Sequence, residues 1–294
     1  MKKSPLRSKR GIALLSLCIS WFILSKNTSQ SQSSVTRGSL PIRHGWKAPD
    51  FCSTLRKQPQ PYDPKCRSTK SGTLCNNSLP QFFSQDGEDY YLYTRHFARM
   101  KRPGIYVDVA ANDPVLISNT YFLDECLGWQ GICAEANPKY FKPLQSKRSC
   151  QLIPTCISDV DGNEVQFGMR GASGGILETY KGDPGVLENA TETLACTTLE
   201  TVLRRLSVSH VDYLSLDVEG HELHVLMGIE WGQVTIDIIS VELNSNTRKP
   251  VHTFLIERGY HMLSTGTEPV NDMETFSMND PVYVRHGLVF GRPE

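Results

Sequence analysis

The sequence carries no surplus of charge: 31 Lys and Arg offset 31 Asp and Glu, whereas a nucleic-acid binder shows a basic excess or stripe. It has no C-x-x-C pair among its nine cysteines, which removes the spacing typical of structural zinc sites. No G-x-G-x-x-G follows a predicted strand, so the backbone cradle of a pyrophosphate is missing. There is no internal repeat. The N-terminal uncharged apolar run, from Gly11 to Ser25, falls short of the roughly 20 residues of a full bilayer span. What remains, 39% hydrophobic and 21% charged residues over 294 positions, suits one large globular domain or two small ones.

That run still has direction. Lys2, Lys3, Arg7, Lys9 and Arg10 precede it, and basic residues before an apolar segment stay in the cytoplasm while the rest is translocated. A cleaved signal peptide competes with an uncleaved anchor, but Ile23 and Ser25 make a poor small-x-small cleavage site. The expectation is therefore a basic tail over 1–10, a signal-anchor over 11–25, a Ser-, Pro- and Gln-rich lumenal stem over 26–80, and a folded domain over 81–294. Such a chain is a single-pass type II protein of the Golgi or endoplasmic reticulum membrane. Cys18 lies in the apolar run; the other eight cysteines suit an oxidising compartment. Their connectivity is not legible, and Cys133 and Cys156, inside predicted strands, could be disulfides or buried thiols. Sequons at Asn27, Asn76 and Asn189 permit glycosylation.

From residue 81 strand and helix signals alternate. Strands are expected over 105–109, 131–134, 151–157, 164–169, 211–216 and 236–243, with short strands over 260–263, 282–284 and 288–290. Helices are expected over 119–127, 138–146, 198–206, 219–227 and 251–258. Alternation of this kind implies an α/β fold with a mainly parallel sheet and helices on both faces. Ligands in such sheets sit beyond the carboxyl ends of the strands.

Those ends are acidic. The first strand runs into Asp108-Val109-Ala110-Ala111-Asn112-Asp113, and the second ends at Glu135, 27 residues after Asp108. A carboxylate at that second tip can accept hydrogen bonds from two ribose hydroxyls, and Asp159 after the third strand is placed to meet an adenine amino group. Asp113, standing where a phosphate would approach, disfavours a dinucleotide. S-adenosylmethionine has no phosphate and carries a sulfonium and an ammonium, so acids at this turn favour it. The fourth strand delivers Asp217-Val218-Glu219-Gly220-His221-Glu222, and the fifth ends at Glu242-Leu243-Asn244. Methyl transfer to a hydroxyl requires an aligned oxygen and removal of its proton. His221, with Asp217 and Glu219 beside it, is one candidate base; alternatively Asp217, Glu242 and Asn244 hold a divalent cation that acidifies the hydroxyl.

Taken in order, Ser84-Gln85-Asp86-Gly87-Glu88-Asp89, Asp108 to Asp113, Ser118-Asn119-Thr120, Gly128-Trp129-Gln130-Gly131 leading to Glu135, and Asp217 to Glu222 resemble the FkbM family of S-adenosylmethionine-dependent methyltransferases. The resemblance implies a Rossmann-like class I methyltransferase fold with a seven-stranded sheet, and O-methylation of sugar or secondary-metabolite hydroxyls. It implies that Asp108, Asn112 and Glu135 line the cofactor site, with Gln85 and Asn119 helping to close it. Ala110 and Pro114 stand where the commoner family pattern has glycine. An anchor and stem resemble the plan of Golgi glycan-modifying enzymes, which makes a glycan hydroxyl the expected acceptor, a small-molecule hydroxyl its rival, and nucleic acid no partner. The competing readings are a catalytically inactive member kept as a lumenal binding or scaffold protein, and a nucleotide-sugar or NAD-dependent enzyme.

Overall fold

The computed structural model describes residues 39–41, 43, 45–57, 82–183, 191–263 and 280–288. The expected tail, anchor and most of the stem, with Cys66, Cys75 and the three sequon asparagines, lie outside the described residues. Among the described residues no helix is long and apolar enough to cross a membrane.

Helix α1 (Asp50–Lys57) and helix α2 (Glu88–Arg95) precede strand β1 (Ile105–Val109), helix α3 (Tyr121–Leu127), strand β2 (Gln130–Ala134), helix α4 (Pro138–Lys147) and strand β3 (Gln151–Ile153). Short strands follow: β4 (Ile157–Ser158), β5 (Glu164–Gly168), β6 (Gly175–Ile176), β7 (Thr191–Ala195) and β8 (Thr197–Thr198). The chain then alternates through α5 (Leu199–Arg205), β9 (His210–Leu216), α6 (Glu222–Met227), β10 (Thr235–Val241) and α7 (Arg248–Glu257), and ends in β11 (Tyr260–Met262) and β12 (Val282–Arg285).

Seven strands form one sheet in the order β3-β2-β1-β9-β10-β12-β11. The five from β3 to β10 are parallel, and β12 pairs antiparallel with both β10 and β11. A parallel sheet must be covered on both faces, and side chains alternate across it to meet that need. Val107, Val109, Leu214 and Leu216 pack with α5, α6 and α7 through Val202, Val225 and Val251. Tyr106 and Tyr213 point the other way, into a layer built from α1 to α4 around Leu55, Leu92, Phe122 and Leu144. Strand order reverses between β1 and β9, the place where such sheets open a crevice. Register lines up the strand ends there: Val109 pairs with both Ala134 and Leu216, and Leu216 with Val241. The next residue on each strand is therefore Ala110, Glu135, Asp217 or Glu242, four positions in one row.

The departures from the sequence reading have local causes. The expected strand over 151–157 is two pieces, because Pro154 has no N–H for a ladder and β4 pairs with β8 instead. The helix expected from Glu219 starts at Glu222, since Glu219 and Gly220 hold φ of 60° and 114°, outside helical space. Helix α5 begins at Leu199 because Thr198 caps it, its hydroxyl accepting from the Thr201 N–H at 3.1 Å. Leu288 is not in a strand, and the rest of that expected element lies outside the described residues. Within the expected stem, α1 belongs to the folded unit: Cys52 and Leu55 are fully buried, and Cys52 is disulfide-bonded to Cys126 of α3. Cys133 and Cys156 are not free thiols either, since they bond to Cys150 and Cys196.

Candidate functional site

After β1 the chain turns sharply over the end of β2. Ala110 and Asn112 both hold positive φ, 68° and 49°, a region that costs a residue with a Cβ roughly 1–2 kcal/mol. The turn is held because the Ala110 and Ala111 N–H groups both donate to the Ala134 carbonyl, at 2.9 and 3.1 Å. Glu135 completes the clamp. Its Oε2 accepts from the Asn112 N–H at 2.9 Å and its Oε1 from the Asn137 N–H at 2.7 Å. Two of the roughly four lone-pair sites of the carboxylate stay available. Burial pushes its carboxyl up to about 7, against the lowering effect of those two N–H groups.

Two adjoining cavities meet at Ala110 and Asn112. One is a narrow slot of about 40 Å³ between Glu135, Ala136, Ile157, Phe167, Ile176 and Val218. The other is a polar cleft of about 410 Å³, reached by Gln85, Asp108, Asn119, Asp217, Glu242 and Asp280. Slot, carboxylate and acidic cleft in sequence match a molecule with a flat ring, a ribose and a cationic end. The fit is carried by Asp217, whose Oδ1 is shielded from solvent and has no hydrogen-bond partner. Burial and then the neighbouring Glu242 hold the Asp217 carboxyl well above the usual carboxylate range, so a cation placed there would stabilise its charged form.

Asp108 and Asn119 are positioned from behind. Asp108 Oδ2 accepts from the Thr120 hydroxyl, and Asn119 Nδ2 donates to Ser215 Oγ at 3.0 Å. Beneath them sits Arg148, completely buried. Its guanidinium donates to Asp124 at 2.8 Å, Tyr106 at 3.0 Å, Thr120 at 2.6 Å and Ser118 at 3.2 Å. One arginine thus ties α4 to the turn that carries the cofactor-side residues, and sequence reasoning passed over it.

Lys181 was also missed. Its Nζ lies 2.8 Å from Glu219 Oε2 and bonds Glu242. Burial alone would lower its pKa, but those two carboxylates hold it above its ordinary value. The loop carrying Lys181 crosses Gly220 so closely that a Cβ there would sit 2.2 Å from the Thr179 carbonyl, and the Lys181 N–H donates to the Glu219 carbonyl at 2.8 Å. The signal available in the sequence was a cation within the glycine-rich loop after Gly168.

Four expected site residues are not delivered to the cavities. His221 has both ring nitrogens engaged, Nε2 with Ser158 Oγ and Nδ1 with Thr179 Oγ1, each at 2.9 Å. It stacks on His224 at 4.3 Å, and burial, then His224, depresses its pKa to about 4. It pins the Lys181 loop to β4 and lines neither cavity. Asp159 accepts from Ser158 Oγ at 3.0 Å and does not reach the slot. Asp113 Oδ1 accepts from the Val115 and Leu116 N–H groups, at 3.0 and 2.8 Å, to make a turn. Asn244 Oδ1 is taken up by the Asn246 and Thr247 N–H groups, at 2.7 and 3.0 Å, so the expected metal trio with Asp217 and Glu242 does not assemble. Gln85, Asp108, Ala110, Asn112, Asn119, Glu135, Asp217, Glu219 and Glu242 do converge on the cavities.

The family model described as the methyltransferase FkbM domain matches residues 108–262, from Asp108 at the first strand end to the last residue of β11. No curated protein matches the sequence. Among solved structures, precorrin-6y C5,15-methyltransferase from Geobacter metallireducens GS-15 aligns at a TM-score of 0.35 and 12% identity, over 76% of this chain and 92% of its own. A protein named as an RNA methyltransferase from Pyrococcus horikoshii aligns at 0.35 and 12%, over 78% and 92%. Superpositions that loose bear on neither substrate nor mechanism. The family match spans more than half of the chain, and it begins where the site does: the protein belongs to the FkbM methyltransferase family, whose members' activity implies S-adenosylmethionine as cofactor.

Proposed function

We propose that the chain is an S-adenosylmethionine-dependent O-methyltransferase acting on a hydroxyl of a glycan sugar in the secretory pathway, held at the Golgi or endoplasmic reticulum membrane by its N-terminal segment. The observation that carries the reading is the row of strand ends, Ala110, Glu135, Asp217 and Glu242, which joins an apolar slot to an acidic cleft. When bound, the cofactor supplies an electrophilic methyl group. Glu135 would hold its ribose hydroxyls, the slot between Phe167 and Val218 its adenine, and Asp108 with Asn119 the methionine end. The chain's own task is then to orient the acceptor oxygen and take its proton. Asp217 Oδ1 is the candidate proton acceptor once the cofactor's cationic end favours its charged form, since it is buried and that oxygen has no hydrogen-bond partner. Glu242, ion-paired to Lys181, lies beside Asp217 and helps raise its pKa. Three disulfides, Cys52–Cys126, Cys133–Cys150 and Cys156–Cys196, support an oxidising compartment, and the basic-then-apolar N-terminus supports lumenal placement of the domain.

Calorimetric titration of the full-length chain with S-adenosylmethionine tests the cofactor half. Losing hydrogen bonds to a charged carboxylate costs about 1.5–3 kcal/mol, so Glu135→Ala is expected to weaken binding roughly 10- to 150-fold. No binding to folded wild type sinks the reading. Radiolabelled methyl transfer to a panel of lumenal glycans tests the acceptor half. Transfer to a small metabolite alone rejects the glycan, and binding without any transfer favours the inactive scaffold.

A further inference from the structure

Among the described residues, three clusters bring acidic or histidine ligand atoms within 4.8 Å of one another: His210–Asp212–Asp237, Asp217–Glu219–Glu242 and Asp86–Glu88–Asp280. The protein supplies its own cations to the first two. Arg102 grips Asp212 through two bonds of 2.7 and 3.0 Å, and Arg285 holds Asp237 at 2.9 Å. Lys181 sits in the second.

The third differs at Glu88. This side chain is fully buried in the first turn of α2, and neither of its carboxylate oxygens has a hydrogen-bond partner. Its neighbour Asp89 is buried equally deeply but accepts from the Phe83 N–H, the Tyr90 N–H and Ser84 Oγ. The single hydroxyl proton of Ser84 goes to Asp89, so it cannot also serve Glu88. The charges that act on Glu88 are Asp280 and Asp86, both acidic. Lys181 acts on Asp280, but its ammonium is engaged by Glu219 and Glu242.

We propose that Asp86, Glu88 and Asp280 bind one divalent cation of the hard, oxygen-liganded class (Mg²⁺, Mn²⁺ or Ca²⁺) at the rim of the polar cleft. Ligands on opposite sides of such an ion stand about 4.0–5.2 Å apart, twice the metal–oxygen distance, and the ligand atoms of this cluster, all within 4.8 Å of one another, can reach one ion. Carboxylate oxygens without nitrogen or sulfur select hard metals. Asp86 and Asp280 also line the cleft, which leaves water or an acceptor oxygen to complete the coordination. This trio replaces the Asp217, Glu242 and Asn244 set expected from the sequence.

The test is titration of the full-length chain with Mn²⁺, without S-adenosylmethionine or acceptor, followed by electron paramagnetic resonance of the free ion. One Mn²⁺ per chain is expected. Glu88→Gln, which keeps shape, and Asp280→Asn, at the cleft rim, should each weaken it at least about tenfold, while His210→Gln leaves it unchanged; near-ultraviolet circular dichroism reports on folding of each variant. Absence of Mn²⁺ binding, or binding that survives both substitutions, overturns the site. So does loss of S-adenosylmethionine affinity in both variants with no Mn²⁺ bound by wild type, which assigns the cluster to an ammonium. Because no methyl transfer is read, the cation site and the proposed activity fail independently.

Discussion

Glu88 permits a stability prediction of unusual sign. Burial first, then the charge of Asp280, raises its carboxyl from an ordinary 4.5 to about 8. The folded chain therefore binds this proton more tightly than the unfolded chain does. The stability that Glu88 contributes is fully present below pH 4.5 and is lost as pH rises through about 8. At about 1.4 kcal/mol per pH unit, the interval from 4.5 to about 8 corresponds to roughly 5 kcal/mol once the group is ionised. Glutamine at this position mimics the protonated acid at every pH. In chelator, with disulfides intact, Glu88→Gln should have nearly the wild-type urea midpoint at about pH 5 and a markedly higher one at about pH 9, by several kcal/mol. A difference between variant and wild type that is the same at both pH values would refute the assignment of a buried, unneutralised carboxylate. Adding the divalent cation at the higher pH should recover much of the wild-type loss, because binding to the native state alone stabilises it.

The remaining predictions concern other parts of the frame. Arg148→Met removes one of the two cations on Asp124, Arg43 keeping the other at 3.0 Å, and the donors to Tyr106 and Thr120; a loss of about 1–3 kcal/mol in chemical denaturation is expected from the buried acceptors left unsatisfied, and an unchanged midpoint would refute its central role. Lys181→Met leaves Glu219 and Glu242 without their ammonium, so the acid limb of the methyl-transfer pH profile should move upward by about one pH unit; an unmoved profile would detach Lys181 from the proton-accepting group. Gly131→Ala would set a Cβ 1.9 Å from the Tyr106 ring, and overpacking of about 1–3 kcal/mol or more should lower the melting temperature; a variant as stable as wild type would contradict this close approach.

The parts of the site that follow from local pattern were legible. Glu135, Asp217 and Glu242 each follow the last residue of an apolar strand, Asp108 is the last residue but one of β1, and a parallel sheet brings such ends to one edge whatever the loops do. The boundaries that shifted had signals in plain view, Pro154 for the broken strand and Gly220 for the late helix. Residues defined by distant contacts were not legible. Arg148 reads as a surface cation at the end of α4 and becomes buried only because Asp124, Tyr106 and Thr120 meet it from other elements. His221 looked like a base because its partners, Ser158 and Thr179, are 63 and 42 residues away. The mostly polar strand β7, half exposed at the edge of a small antiparallel sheet, offered no hydrophobic alternation to find. Glu88 belonged to a recognised motif, but nothing local said that its carboxylate would be sealed from water.

The bond between Cys52 and Cys126 has a consequence for proteolysis. A protease that cuts anywhere between residues 57 and 82 breaks the backbone without separating the fragments, since α1 remains covalently fastened to α3. Such a nicked protein would run as one species on a non-reducing gel and as two after reduction. Release of the domain from whatever lies upstream requires a cut before Cys52, or a cut after it together with a reductant.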